Sequence, residues 1–391
     1  MFKGISRLVL ILAAISLFTD IASELLYPVM PMYLKTIGFS IAAIALLEGF
    51  AEAIAGLSKS YFGALSDKYN TRLPFVQAGY GISALAKILL AATSAIPFVF
   101  TSRFADRMGK GLRSAARDAM LAGESTPQNK TSIFAFHRAM DTTGAAIGPA
   151  IALVYLYFHP QDYKTLLWVA AIPGLIAVLL TFTLKEKKNI EPKSKKSFFQ
   201  LLGYWKIASK GYKFLFSIAI IFALVNSADA LLLLMLKTKG YSDSKVISLY
   251  VIYNLCYALV AYPIGLLADK IGVKKIVASG LMLFSIVYFW LVRVDYLPLL
   301  VSLLMLYGLY AACFESGIKS LIVSNSEKSQ HASALGFYSG WASVSALGAA
   351  AWTGWLWQHS GMQWPFTVSA CVALLCALLL FYNKNTQSVQ N

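Results

Sequence analysis

Between residues 97 and 119 an otherwise apolar run carries Arg103, Asp106, Arg107, Lys110 and Arg113. At helical spacing, positions 103, 106, 110, 113 and 117 share one face, and Arg107 stands beside it. If this run crosses a bilayer, each charge costs about 2.5–3.5 kcal/mol at mid-helix and the set more than about 10 kcal/mol, unless the face turns toward protein or water. A guanidinium group donates two parallel hydrogen bonds, which suits carboxylate or phosphate. Arg103 and Arg107, with Asp106 between them, are therefore candidate solute-binding residues.

Counter-charges lie on neighbouring runs. Asp20 and Glu24 are one helical turn apart, as are Glu48 and Glu52, with Lys59 two turns beyond; His137, Arg138 and Asp141 form a third group. These acids nearly cancel the bases, so two readings stand. In one, the groups are structural ion pairs. In the other, some acids take up and release protons while the arginines meet an anionic solute. Burial and a nearby arginine pull a carboxylate's proton affinity in opposite directions, so a group caught between them can titrate as its access changes. The second reading makes Asp20, Glu24, Glu48 and Glu52 proton-coupling candidates and adds His137, Arg138 and Asp141 to the solute-binding set. The second half of the chain has few such charges: Asp229, Glu315 and Lys319. Its candidates are mainly amide or aromatic: Asn226, Asp229, Tyr253, Asn254, Tyr257, Tyr310 and Trp341, with Tyr250 and Tyr307 nearby. They form either a packing stripe or a flat, hydrogen-bonding surface for solute.

The elements that must position these residues are membrane helices. Of the 391 residues, 58% are hydrophobic and 13% charged, against about 25% charged in soluble domains. Mean hydropathy is +0.64. Twelve runs approach the roughly 20 residues a spanning helix needs: 8–34, 41–66, 73–94, 97–119, 133–158, 165–184, 213–237, 244–268, 275–292, 297–323, 332–356 and 364–382. The first continues past Asp20 and Glu24 and is read as a span, not a signal peptide. The polar, lysine-rich stretch 185–212 is read as a linker, with an interfacial helix over 198–207.

The formal charge of +16 belongs to loops, not to a nucleic-acid-binding domain, which the sequence lacks. Loops after odd-numbered runs hold Lys35, Lys164, Lys237, Lys239, Lys245 and Arg293. The others hold Lys68, Arg72, Lys130, the linker, Lys270, Lys274, Lys275 and Lys328. The positive-inside bias puts both termini in the cytoplasm. Cys256, Cys313, Cys371 and Cys376 lie in apolar runs without a CxxC pair and are read as packing residues. No phosphate-binding loop or paired-histidine metal motif is present. Neither a cofactor nor a metal is expected, and the chain is not expected to be an enzyme; the driving force would be a proton gradient.

An internal repeat orders the whole. Gly63-Ala-Leu-Ser-Asp67-Lys68 recurs as Gly265-Leu-Leu-Ala-Asp269-Lys270, an offset of 202 residues. The same offset takes Lys35–Ser40 onto Lys237–Ser242, Arg117 onto Lys319, Gln128 onto Gln330 and Phe136 onto Tyr338. Parallel repeats of this kind place a solute site near mid-membrane where they meet.

The segment from Gly63 to Arg72 resembles the loop 2–3 motif of the major facilitator superfamily, Gly-x-Leu-Ala-Asp-Arg/Lys-x-Gly-Arg/Lys, with Asn70 where Gly is usual. Gly265 to Lys275 is a second copy that keeps Gly272. Gly144-Ala-Ala-Ile-Gly148-Pro149 looks like the glycine–proline motif of the superfamily's antiporters, although Ile151 and Ala152 replace its closing glycines. The run from Arg103 to Asp118 looks like the feature of a bacterial subgroup. The resemblance implies an all-α membrane protein of twelve helices, in two six-helix bundles related by a pseudo-twofold axis. The bundles would be 1–184 and 213–391, joined by 185–212. It also implies a charge network that latches the halves, giving Gly63, Asp67, Arg72, Arg117, Gly265, Asp269 and Lys319 a gating role. Gly144 and Gly148 would allow close helix approach, and Pro149 a kink.

The resulting expectation is a monomeric secondary transporter in the inner membrane, moving a small anionic or zwitterionic solute by proton-coupled alternating access. A carboxylate metabolite or citrate-type siderophore would fit. Its partners would be solute, protons and the lipid bilayer. A multidrug efflux pump holding lipophilic cations at Asp20 or Glu24 is the alternative. A non-transporting receptor is a rival of another class, disfavoured by the lack of a sizeable signalling domain.

Overall fold

Hydrocarbon offers no hydrogen-bonding partner to a peptide group, so a chain this apolar must satisfy its backbone internally, in helices or a closed barrel. The computed structural model describes residues 6–69, 71–124, 130–186, 204–327 and 331–383, and among them it is helical, without strands. The helices are α1 (Arg7–Leu26), α2 (Met30–Thr36), α3 (Ile41–Tyr69), α4 (Leu73–Ala92), α5 (Ile96–Gly123), α6 (Lys130–Phe158) and α7 (Tyr163–Thr181). They continue with α8 (Tyr204–Ile207), α9 (Lys210–Ala223), α10 (Asp229–Thr238), α11 (Asp243–Ile271), α12 (Val273–Leu291), α13 (Leu297–Ser324), α14 (His331–Ser360) and α15 (Gln363–Tyr382).

Each of the twelve expected runs falls on one helix or one broken pair. The first run breaks at Tyr27-Pro28-Val29, where proline cannot continue the hydrogen-bond ladder, and the seventh breaks at 224–228 between α9 and α10. Nine helices of the described residues are long and apolar enough to cross a membrane. The charged face keeps α5 out of that group, and α9 and α10, with 14 and 10 residues, are each too short alone. Most of the linker lies outside the described residues; of the expected interfacial helix only the single turn Tyr204–Ile207 is described.

The 202-residue repeat reappears in the backbone. α3 and α11 are offset by 202 at both ends. Gly38 and Gly240, the same distance apart, both adopt the left-handed region, with φ of 96° and 90°. That conformation favours glycine. Two residues later, Ser40 and Ser242 each accept a backbone N–H of the following helix, at 3.2 and 3.4 Å.

Contacts divide the chain into two units: Met1–Gly38 with Phe50–Phe198, and Phe39–Gly49 with Phe199–Asn391. In the first unit α1 packs on α6 and α7, and α4 on α5 and α7. In the second, α12 packs on α13 and α15, and α11 on α13. Large apolar side chains stand exposed on helix faces, among them Leu85, Val154, Ile172, Leu179, Leu259 and Leu375. In water these faces would be costly; toward lipid they are the expected surface.

Candidate functional site

The charged face of α5 is broad. Asp106 and Arg113 turn toward α4, Arg107 turns toward α3, and Lys110, between them, is exposed. The single stripe expected from spacing is thus an exposed centre with buried flanks. Arg103, Arg107 and Arg113 are all buried. Lys87 Nζ on α4 meets Asp106 Oδ1 at 2.7 Å, with both side chains largely buried. Ser83 Oγ donates to the Asp106 carbonyl at 3.1 Å and accepts from Arg113 Nη1, whose guanidinium lies 4.7 Å from the Tyr80 ring centroid. Ser23, Lys87, Ser102, Arg103 and Asp106 line a small, partly open recess between α1, α4 and α5, with room for about one water molecule. Sequence reasoning missed Lys87. A lone lysine in an apolar span is itself the signal, since such a residue needs a partner or a function.

Of the acids expected to carry protons, Glu52 is half-exposed and places Oε1 3.7 Å from Arg107 Nη2. Glu48 is buried, while Asp20 and Glu24 are partly exposed. Asp20 lies within electrostatic range of Asp141, Lys110, Glu24 and Arg113.

A second cluster joins α1, α5 and α6. His137 Nε2 is 2.9 Å from Ser16 Oγ and its Nδ1 is 3.5 Å from Asp141 Oδ2. Arg117 donates to Ser16 Oγ at 3.0 Å and to Asp118 Oδ1 at 3.0 and 3.1 Å, and Asp118 Oδ2 lies 3.9 Å from Lys59 Nζ. Arg138, the next residue on α6, is exposed and does not join this cluster. Gly144 and Gly148 hold α6 hard against α1. A Cβ at Gly144 would sit 2.6 Å from the Leu17 carbonyl oxygen, and one at Gly148 2.6 Å from the Leu25 nitrogen.

In the second unit the structure brings Asp229, Tyr253, Asn226 and Tyr310 together. Tyr253 and Tyr307 each donate to the Asp229 carboxylate, at 2.6 and 2.7 Å, where α10 begins after the helix break. Asn226 Nδ2 donates to Tyr310 Oη at 3.3 Å. Tyr307 and Tyr310 stand 5.3 Å apart, and Phe284 bridges Tyr310 and Tyr288. Tyr288, which sequence reasoning did not single out, closes the group. The remaining candidates lie apart from it. Tyr257 donates to Glu315 at 3.2 Å, Asn254 donates to the Tyr250 carbonyl of its own helix, and Trp341 is exposed beside Phe337.

Of the expected gating residues, Arg117 belongs to the cluster of α1, α5 and α6. The side chains of Asp67 and Asp269 lie outside the described residues. Arg72 donates to Ser66 Oγ at 2.8 Å, and Glu186, from beyond α7, accepts the backbone N–H groups of Arg72 and Leu73 at 2.6 and 3.0 Å. This carboxylate caps the positive end of α4. Gly63 lies against Ala115, Gly265 faces open space, Pro149 lies within α6, and Lys319 is exposed. Among the described residues no group of His, Cys, Asp and Glu could hold a metal ion.

Apolar helices of membrane-spanning length, a duplicated helix order and ionisable clusters buried between helices define a multi-pass membrane transporter. The family profile of the Major Facilitator Superfamily matches residues 12–252 and 214–391, and the chain belongs to that family. Its members are transporters, not enzymes. The chain is 29% identical over 386 residues to an MFS-type transporter of Methanocaldococcus jannaschii, covering 97% of this chain and 96% of that protein. Two solved structures share the fold. A peptide transporter in complex with sulfate has a TM-score of 0.81 and 12% identity, over 97% of this chain and 95% of that one. A human organic anion transporter has a TM-score of 0.69 and 16% identity, over 96% and 99%.

Proposed function

We propose that this transporter moves a small anionic or zwitterionic organic solute across the inner membrane by proton-coupled alternating access. A carboxylate metabolite or citrate-type chelator is the favoured class. The observation that carries the reading is the Arg107–Glu52 pair, one cation nearly buried and its acid half-exposed. A solute carboxylate that takes over the guanidinium releases Glu52, whose carboxylate can then accept a proton. Solute and proton binding are thereby linked through one cation. The buried Arg103, lining the recess beside Lys87 and Asp106, supports an anionic solute in the same unit.

The experiment is transport by purified protein in liposomes, with a panel of carboxylates, amino acids and lipophilic cations and an imposed pH gradient. Carboxylate accumulation driven by the gradient is the expected result. Carboxylate movement indifferent to the gradient would reject proton coupling. Movement of lipophilic cations alone would favour the efflux reading.

A further inference from the structure

We propose that His137 and Asp141 together form a proton-binding site, a dyad on α6 distinct from the acids of α3. The inference rests on the proton-coupled reading above and gives it a second seat. Both residues are buried, with His137 4% and Asp141 9% exposed. They lie one turn apart, so the imidazole and the carboxylate face each other along the helix.

Both ring nitrogens are engaged. Nε2 meets Ser16 Oγ at 2.9 Å and Nδ1 meets Asp141 Oδ2 at 3.5 Å. In the neutral ring, Ser16 donates its hydroxyl proton to Nε2, and the Nδ1 proton points at the carboxylate. When a proton arrives, Nε2–H donates to Ser16 instead, and only the hydroxyl rotates. Ser16 can take either part because Arg117 already donates to its oxygen at 3.0 Å and fixes its place. Arg117 itself orients the hydroxyl and passes no proton, since a guanidinium stays charged.

The second observation is the other carboxylate oxygen. Asp141 Oδ1 is buried and has no hydrogen-bond partner. A bare buried carboxylate oxygen is costly, and a positive charge on the facing imidazole offsets the charge it carries. The imidazole is therefore the seat of the proton, and the carboxylate beside it is the reason for holding one there.

The surroundings are mixed in sign. From α5 come Arg117 and Asp118, from α6 the neighbouring Arg138, and from α1 Asp20, an electrostatic neighbour of Asp141. α7, also packed against α6, carries no charge beyond Lys164 at its start. Around Asp20 stand Glu24, Lys110 and Arg113. Asp20 is partly exposed, so it is the natural group to exchange a proton with the dyad. Gly144 keeps this geometry tight, because a Cβ there would come within 3.0 Å of the Asp20 Cβ.

The test reads the proton directly. The chain has 4 histidines, so full-length protein in lipid nanodiscs with isotope-labelled histidine gives few ring signals, and His137→Gln identifies the one in question. We expect His137 to change charge between pH 3 and 9. Asp141→Asn should move its midpoint by about one unit or more, and Ser16→Ala should change its tautomer ratio. A His137 ring that keeps one charge state across this range overturns the site; so does a midpoint that Asp141→Asn leaves in place. In liposomes, Asp141→Asn should abolish carboxylate accumulation driven by the pH gradient. If the wild-type protein moves no carboxylate, the proposed function fails, and the histidine spectra still decide the dyad.

Discussion

At Arg107 one guanidinium serves Glu52 at 3.7 Å, and this long pair differs in kind from the 2.7 Å pair of Lys87 and Asp106. In the first only Glu52 is half-exposed; the second is buried on both sides. Replacing Arg107 by alanine is expected to lower carboxylate uptake by at least about tenfold, and by lysine to restore only part of it, because a point charge cannot reproduce a two-pronged contact. Initial rates of labelled carboxylate uptake measure this. The Lys87–Asp106 pair calls for a stability measurement instead. Breaking a buried pair from one side leaves an uncompensated charge and costs about 3–5 kcal/mol, whereas neutralising both partners is often nearly neutral. Lys87→Met should therefore melt well below wild type in detergent, and Lys87→Met with Asp106→Asn should recover most of the loss. A double variant no better than the single would show that Lys87 serves something other than Asp106. The spacing on α5 made the arginines legible as a charged face. It could not show which neighbour each would meet, because a six-residue charged face spreads around the helix far enough to touch α3 and α4 at once.

Helix ends and helix seams set where these side chains stand. The seam between α1 and α6 depends on Gly144 and Gly148, and the obstacles to a side chain at Gly148 are backbone atoms, Leu25 N at 2.6 Å and Ile21 O at 2.7 Å. Flexible neighbours can yield, but two helix backbones cannot. Gly148→Leu should cost at least the roughly 1–3 kcal/mol typical of overpacking and reduce the monodisperse yield in size-exclusion chromatography. Gly265→Ala, with nothing within 4 Å, should behave as wild type in the same assay. At the start of α4, Glu186→Ala removes a carboxylate from two backbone donors and should cost about 1 kcal/mol, seen as a lower melting temperature. The sequence pointed to the glycine–proline pattern on α6 but gave no hint of Glu186, which reaches α4 from 114 residues away. Local caps are more readable: Ser209 and Asp162 each precede a helix and accept its first amides. Hydrogen bonds from Tyr155 and Thr165 hold the Asp162 carboxyl below the usual carboxylate range.

Over the whole molecule, the most legible feature was duplication, because two copies of one helix plan repeat both their apolar runs and their turn residues. Gly38 and Gly240 needed the same left-handed angle, so the same short motif survived at both places. Less legible was the tyrosine group around Asp229: aromatic residues in apolar helices look alike in sequence whether they pack or hydrogen-bond, and only the break before α10 brings Asp229 to Tyr253 and Tyr307. The expected orientation of the molecule in its membrane rests on charge, not on contacts. Basic residues crowd the helix ends and turns around Lys68, Arg72, Lys270, Lys274 and Lys275, and the positive-inside bias predicts a cytoplasmic place for them. On that bias the loops around Pro160 and Tyr296, both exposed, are expected on the outside. In a background with the four native cysteines replaced, Pro160→Cys and Tyr296→Cys should react with a membrane-impermeant maleimide in intact cells. Lys270→Cys and Glu327→Cys, also exposed, should react only once the membrane is permeabilised. The reverse pattern would invert the protein, and a given pH gradient would then meet the Glu52 and His137 clusters from the opposite side.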